Sequence, residues 1–210
     1  MLARRRRQPR GRFSWRTLAF EVFVVVLGVT LALGANEFRE HLLHRKNVRV
    51  ATESLAREME QNCERLERAE TYHRRLISEI DSLSQADPAF SGDRIFDRVS
   101  AVPSWNGYNP AFVTGSAYET ARAMGSLELM PYERALGLGN YYTFVDLYQE
   151  TVRNALNVVI ANTEISVQQV ATAVRLTLEL ERELGPQSCT AAAQLRGESP
   201  AARDTVAALP

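Results

Sequence analysis

Lysine is almost missing from this 210-residue chain: Lys46 stands alone among 25 basic residues, so 24 are arginine. The skew fits a GC-rich coding sequence and by itself assigns no task to the guanidinium groups. Also missing are a Gly-x-Ser-x-Gly elbow, a phosphate-binding loop, a paired metal-ligand motif and a Cys–His pairing. Without them nothing points to catalysis, a cofactor or a metal, and the expectation is a protein that is not an enzyme. Glycine and proline are absent from residue 35 to residue 87. That excludes a turn-rich β domain there and leaves room for one very long helix. Only two cysteines occur, Cys63 and Cys189.

Charge is absent where it tells most. Leu18 to Ala35 holds Glu21 as its one ionisable side chain. Eighteen residues of helix rise about 27 Å, close to the roughly 30 Å hydrocarbon core of a bilayer. Arg4, Arg5, Arg6, Arg7, Arg10, Arg12 and Arg16 precede this run, and arginines beside a span are retained on the cytoplasmic side. The reading is a cytoplasmic basic tail over 1–17, a transmembrane helix over 18–36 and an extracytoplasmic helical domain over 37–185. Residues 186–210 are expected to form a disordered tail. The location expected is a bacterial inner membrane, N-terminus inside. A signal peptide cleaved after Ala32-Leu33-Gly34 is the competing reading, disfavoured by Glu21 and by the helix-compatible sequence continuing from Asn36.

The formal net charge is zero. Up to Arg49, eleven basic residues face Glu21, Glu37 and Glu40, a net of +8, so the remainder carries −8. A basic end on an acidic body suits a lipid bilayer as partner. It argues against nucleic acid, whose phosphates the acidic body would repel.

A heptad seam runs through Val48, Thr52, Leu55, Met59, Asn62, Leu66, Ala69, His73, Leu76, Ile80 and Leu83. Asn62 is placed to set register and His73 to be a partly buried structural histidine. Pro88 should stop this helix, with a turn at Ser91-Gly92-Asp93. A short helix is expected over residues 117–124, ending at Gly125, and Pro131 suits the first turn of another that Gly137 and Gly139 weaken. A second apolar stripe follows Leu156, Ile160, Thr163, Val167, Val170, Val174 and Leu178, in a breaker-free stretch from Tyr141 to Leu184 that Gly185-Pro186 should end. The fold class expected is mainly α: a transmembrane helix continuing into a long helix, and an antiparallel helical hairpin or bundle with a short irregular aromatic segment. Trp105, Tyr108, Phe112, Tyr118, Tyr132, Tyr141, Tyr142, Phe144 and Tyr148 read first as core closing the hairpin, and second as pocket lining. A disulfide would need the tail to fold back along the bundle, since Cys63 lies mid-helix and Cys189 beyond the last one; the pairing stays open, with the balance against it.

Glu21, Gly28, Ala32 and Asn36 fall on one face of the membrane helix. Gly28 and Ala32 form a small-xxx-small pair that permits close approach of a second helix in lipid, and Asn36 offers a hydrogen bond across it. An interfacial Glu21 that snorkels outward, with incidental small residues, explains the same pattern. His41 and His44 are three apart, but Arg39, Arg45 and Lys46 around them disfavour a cation.

Three blocks carry a resemblance: residues 21–29 running on through Leu31-Ala32-Leu33 to Asn36; Leu55, Glu58, Asn62 and Leu66; and Tyr118-Glu119, Gly125-Ser126-Leu127, Leu136 and Tyr141-Tyr142. The chain resembles, over about residues 15–150, a family of uncharacterised bacterial single-span membrane proteins. It departs from the family pattern at Glu37-Phe38, where an aromatic residue follows Asn36 one position late, and at Gly125-Ser126, which stands in the reverse order. The resemblance implies a retained anchor and a helical exported part, and no activity. A scaffold or accessory subunit, self-associating or bound to another membrane protein, is the expectation. The alternatives are a ligand-sensing domain signalling through a partner and a secreted helical protein.

Overall fold

The computed structural model describes residues 15–98, 101–161 and 164–197. The chain divides into two units, Met1–Lys46 and Asn47–Pro210. Helix α1 is Trp15–Ala86; a 3-10 turn, Pro88–Gly92, and α2, Ile95–Arg98, follow it. Residues 102–115 are irregular, and then come α3 (Ser116–Ala123), α4 (Tyr132–Ala161) and α5 (Val167–Arg196). The fold is all-α, with no strand among the described residues.

In the first unit the described side chains of residues 19–46 are exposed. This stretch gives one helix long and apolar enough to cross a membrane. Glu21, Gly28, Ala32 and Asn36 lie on it, all exposed. Apart from its chain neighbours and its own helix backbone, nothing among the described residues lies within 4 Å of where a Cβ would stand at Gly28, and the Asn36 amide donates to Glu40 Oε1 at 3.1 Å on its own helix. Residues 1–14, with six of the seven leading arginines, lie outside the described residues, as does the Arg16 side chain.

The second unit is built on the seam. Every position from Leu55 to Ile80 in the expected heptad is buried, and Val48, Thr52 and Leu83 at its ends are half-buried. Asp87 caps the 3-10 turn by accepting from Ala89 N, with Pro88 at its start. Helix α3 lies within one residue of expectation, and Gly125 turns the chain with φ of 67°. Helix α4 starts directly after Pro131 and passes through Gly137 and Gly139 unbroken.

Two expectations are corrected. The stretch from Tyr141 to Leu184 is two helices, α4 and α5, because Ser166 caps a new one: its hydroxyl accepts from Gln169 N while the Gln169 side chain accepts from Ser166 N. In the last turns before the break Ala155 and Val159 are buried and Leu156 only half-buried; after it Val167, Val170, Val174 and Leu178 are buried as expected. Ile160's side chain and Thr163 lie outside the described residues.

Gly185-Pro186 does not end the last helix either. Helix α5 runs on to Arg196 and stops at Gly197, whose φ of 75° is left-handed. Proline removes one backbone donor, but packing outweighs that loss. Gly185 sits where a Cβ would stand 3.7 Å from Leu66, and Ala192 and Ala193 are buried. The reading of residues 186–210 as a disordered tail therefore fails for 186–196, while 198–210 lie outside the described residues. With the helix extended, Cys189 meets Cys63 in a disulfide, Cα to Cα 5.2 Å. Arg196 pairs with Glu60 two turns further along α5.

Two apolar clusters fill this unit. One gathers Leu55, Met59, Leu66, Tyr141, Tyr142, Val145 and Leu184. The other gathers Leu76, Ile80, Phe90, Ile95, Val102, Val170 and Val174.

Candidate functional site: an extended strap clamped to the long helix

Residues 102–115 lack the hydrogen bonds of a helix or sheet, so their buried backbone groups need other partners. Helix α1 supplies them. The Glu79 carboxylate accepts from Ser104 N at 2.8 Å and from Ser104 Oγ at 2.5 Å. Tyr72 donates to Gly107 O at 2.5 Å and accepts from Asn106 N at 3.0 Å. His73 Nε2 reaches Tyr108 O at 2.6 Å, and Arg65 donates to Phe112 O at 2.8 Å. Asn62 accepts from Thr114 N and donates to Thr114 O, at 3.0 and 2.8 Å. Glu58 Oε2 accepts from Ala117 N and Ser116 Oγ, both at 2.9 Å, thereby capping α3. As numbers rise along the strap they fall along α1, so the two run antiparallel. Helix α4 holds the other edge: Ala111 N donates to Tyr148 Oη at 2.9 Å, and Gln149 donates to Val113 O at 3.1 Å.

Below the strap lies a buried polar layer between the two apolar clusters. His73 Nδ1 stands 2.7 Å from Glu181 Oε2, both side chains fully buried. Tyr148 accepts from Ala111 N, so its hydroxyl proton goes to Glu181 Oε1 at 2.9 Å. His73 Nε2 faces a carbonyl and must carry a proton. One further proton lies between Nδ1 and Oε2, which makes the pair neutral overall whichever atom holds it. Tyr108 packs on the His73 ring, centroids 5.7 Å apart, and its hydroxyl bonds Thr177.

A second polar group surrounds Glu58. Its Oε1 accepts from Tyr142 at 2.7 Å; Tyr142 stacks on Tyr118 and meets Tyr141 edge-on. Tyr141 in turn bonds Ser188 at 2.8 Å. Among the described residues no buried side-chain nitrogen or oxygen lacks a partner.

These surroundings shift the phenols one way. Burial pushes Tyr108 up to about 12, with the Glu181 charge adding to it and the Thr177 bond opposing it. Burial raises Tyr148 and Tyr142 further, helped by Glu181 and Glu58 respectively. Tyr141 and Tyr72 are raised by burial too. Glu79 is held below the usual carboxylate range by its two bonds from Ser104.

The aromatic group is thus divided. Tyr108, Tyr141, Tyr142 and Tyr148 are core, Trp105 and Tyr118 are half-buried, and Phe112, Tyr132 and Phe144 are exposed. His41 and His44 are exposed. Cys63, Glu67 and Cys189 converge, but the two sulfurs are bonded to each other. Sequence reasoning placed Asn62 and His73 in the seam and missed the clamping roles of Glu58, Tyr72, Glu79 and Glu181. Their one available signal was polar residues flanking the seam beside a segment with no secondary structure of its own. Glu58, Asn62, Tyr118, Tyr141 and Tyr142, quoted above for the family resemblance, come together in one cluster. No protein-family model, curated protein or solved structure matches this chain.

Proposed function

We propose that this is a single-span, inner-membrane scaffold or accessory subunit, N-terminus in the cytoplasm, whose extracytoplasmic helical unit works through protein contacts rather than catalysis. The observation that carries it is an apolar stripe on the outer flank of α4. Leu136, Phe144, Leu147 and Val158 are all exposed. Phe144, Leu147 and Val158 share one face with the polar Thr151 and Asn154 between them, at steps of three and four, the spacing of a seam for another helix. The buried polar side chains support the same reading, because they are consumed in fastening the strap.

The Cys63–Cys189 bond supports export, since such bonds persist in oxidising compartments. The seven leading arginines support the orientation. A reporter fused after Pro210 is expected to be active only outside the cytoplasm. A photo-crosslinking residue at Leu147, in cells, is expected to trap a second copy or another membrane protein, and one at Arg175 on α5 is not. Equal trapping from both positions would refute the α4 contact.

A further inference from the structure

The strap presents Phe112 to solvent at 82% exposure, the highest of the large hydrophobic residues among those described. Its backbone is fixed on both sides, by Arg65 at Phe112 O and by Tyr148 at Ala111 N. This is a rigidly held apolar residue that the core does not use. Two grooves share Ala111 and Phe112 as walls. One, of about 340 Å³, adds Arg65, Arg68 and Asn109. The other, of about 500 Å³, adds Val113, Val152 and Leu156, with Arg153 at its wall. Both volumes are in the range of small-molecule sites.

The charge around Phe112 runs against that of the body. From residue 50 onward the chain carries −8, the total of zero less the +8 of residues 1–49. Arg175, Arg182 and Arg196 in the same unit pair with carboxylates. Arg65, Arg68 and Arg153 make no ion pair among the described residues. Arg65 and Arg68 each spend a donor on a backbone carbonyl, of Phe112 and Glu64. A guanidinium has five donors, so most remain available.

The geometry points to a binding site on the strap for a small amphipathic organic anion. Its apolar body lies in the larger groove against Val113, Val152 and Leu156 and covers Phe112. Its carboxylate, sulfonate or phosphate is held by the arginines. This goes beyond the scaffold reading and stands whether or not the α4 stripe is covered.

The test titrates naphthalene-2-sulfonate into the full chain in zwitterionic nanodiscs by calorimetry, with empty nanodiscs as the blank. Saturable binding is expected, and uncharged naphthalene-2-methanol should bind at least about tenfold more weakly, the worth of one charge-assisted hydrogen bond. Phe112→Ala should abolish measurable binding and Phe112→Trp restore it. Arg68→Gln and Arg153→Gln should each weaken binding about tenfold, while Arg122→Gln, away from both grooves, leaves it unchanged. Melting curves of Phe112→Ala should match the parent, because the side chain is exposed. A titration indistinguishable from empty nanodiscs, equal affinity for sulfonate and alcohol, or binding unaffected by Phe112→Ala would each overturn the proposal.

Discussion

His73 and Glu181, 108 residues apart in sequence, meet at 2.7 Å with neither side chain touching solvent. Their contact joins α1 to α5, and through Tyr148 and Tyr108 it reaches α4 and the strap. Replacing the carboxylate by an amide and removing its polar atoms are different perturbations. Glu181→Gln can still accept from Tyr148 and can donate to an unprotonated His73 Nδ1, so every polar atom keeps a partner. Glu181→Leu strands both His73 and the Tyr148 hydroxyl. Leucine is expected to cost about 3–5 kcal/mol and glutamine about 1 kcal/mol or less. Urea unfolding of both variants checks this; equal losses would mean that the carboxylate charge itself is required.

The disulfide closes a loop of 126 residues. Constraining the unfolded chain over that length is worth up to about 5 kcal/mol on the loop-entropy account. Cys63→Ser with Cys189→Ser should therefore lower the melting temperature, and chiefly free the α5 turns beyond Pro186. Hydrogen exchange of residues 187–196 measures that directly. Protection unchanged in the double variant would show that Ala192, Ala193 and the Arg196–Glu60 pair hold the extension alone.

Raised phenol values make alkaline stability predictable in sign. Each buried tyrosine is neutral in the folded state beyond the pH at which the unfolded chain ionises, near 10. Their contribution is fully present below that point and is lost as pH rises from about 10 through about 12, the folded value for Tyr108. Helical circular dichroism and phenolate absorbance at 295 nm, followed together, should show a late group of phenols ionising with the loss of helix. Smooth ionisation of every tyrosine near pH 10 with the fold intact would contradict the burial.

The seam was readable because α1 buries one continuous stripe, and hydrophobic period alone locates such a stripe from Leu55 to Ile80. The strap was not readable. Its clamps are long-range pairs such as Glu58 with Ala117 and Glu79 with Ser104, and no local period encodes a side chain bonding to backbone 25 or 59 residues away. Gly185-Pro186 misled for a related reason. Local propensity argues for a stop, but a glycine facing Leu66 lets α5 lie close against α1, and burial beyond it outweighs the missing donor. The Ser166-x-x-Gln169 cap, by contrast, was local and could have been found.

Leu66 is fully buried beside Gly185, while Glu64 on the same helix is exposed. Leu66→Asp puts an unpaired charge in the seam and is expected to unfold the second unit, a cost of several kcal/mol. Glu64→Ala should cost less than about 0.5 kcal/mol. Similar thermal shifts for the two would place the seam elsewhere on α1.

Gly28 and Ala32 remain the sharpest feature of the first unit. Nothing within 4 Å opposes a Cβ at Gly28, so Gly28→Leu introduces no clash within the chain. Leucine favours both helix and hydrocarbon, and insertion should be intact. Its effect should fall on association alone. In lipid one apolar face has no hydrophobic preference over another, and helices are held by close packing and hydrogen bonds. Leucine at Gly28 would push a neighbouring backbone away, whereas Val29→Leu adds similar character on a different face. A membrane two-hybrid assay, run against self and against co-purifying proteins, should report weaker association for Gly28→Leu than for Val29→Leu. Identical signals would make the apolar stretch of α1 a plain tether and leave contacts to the α4 stripe.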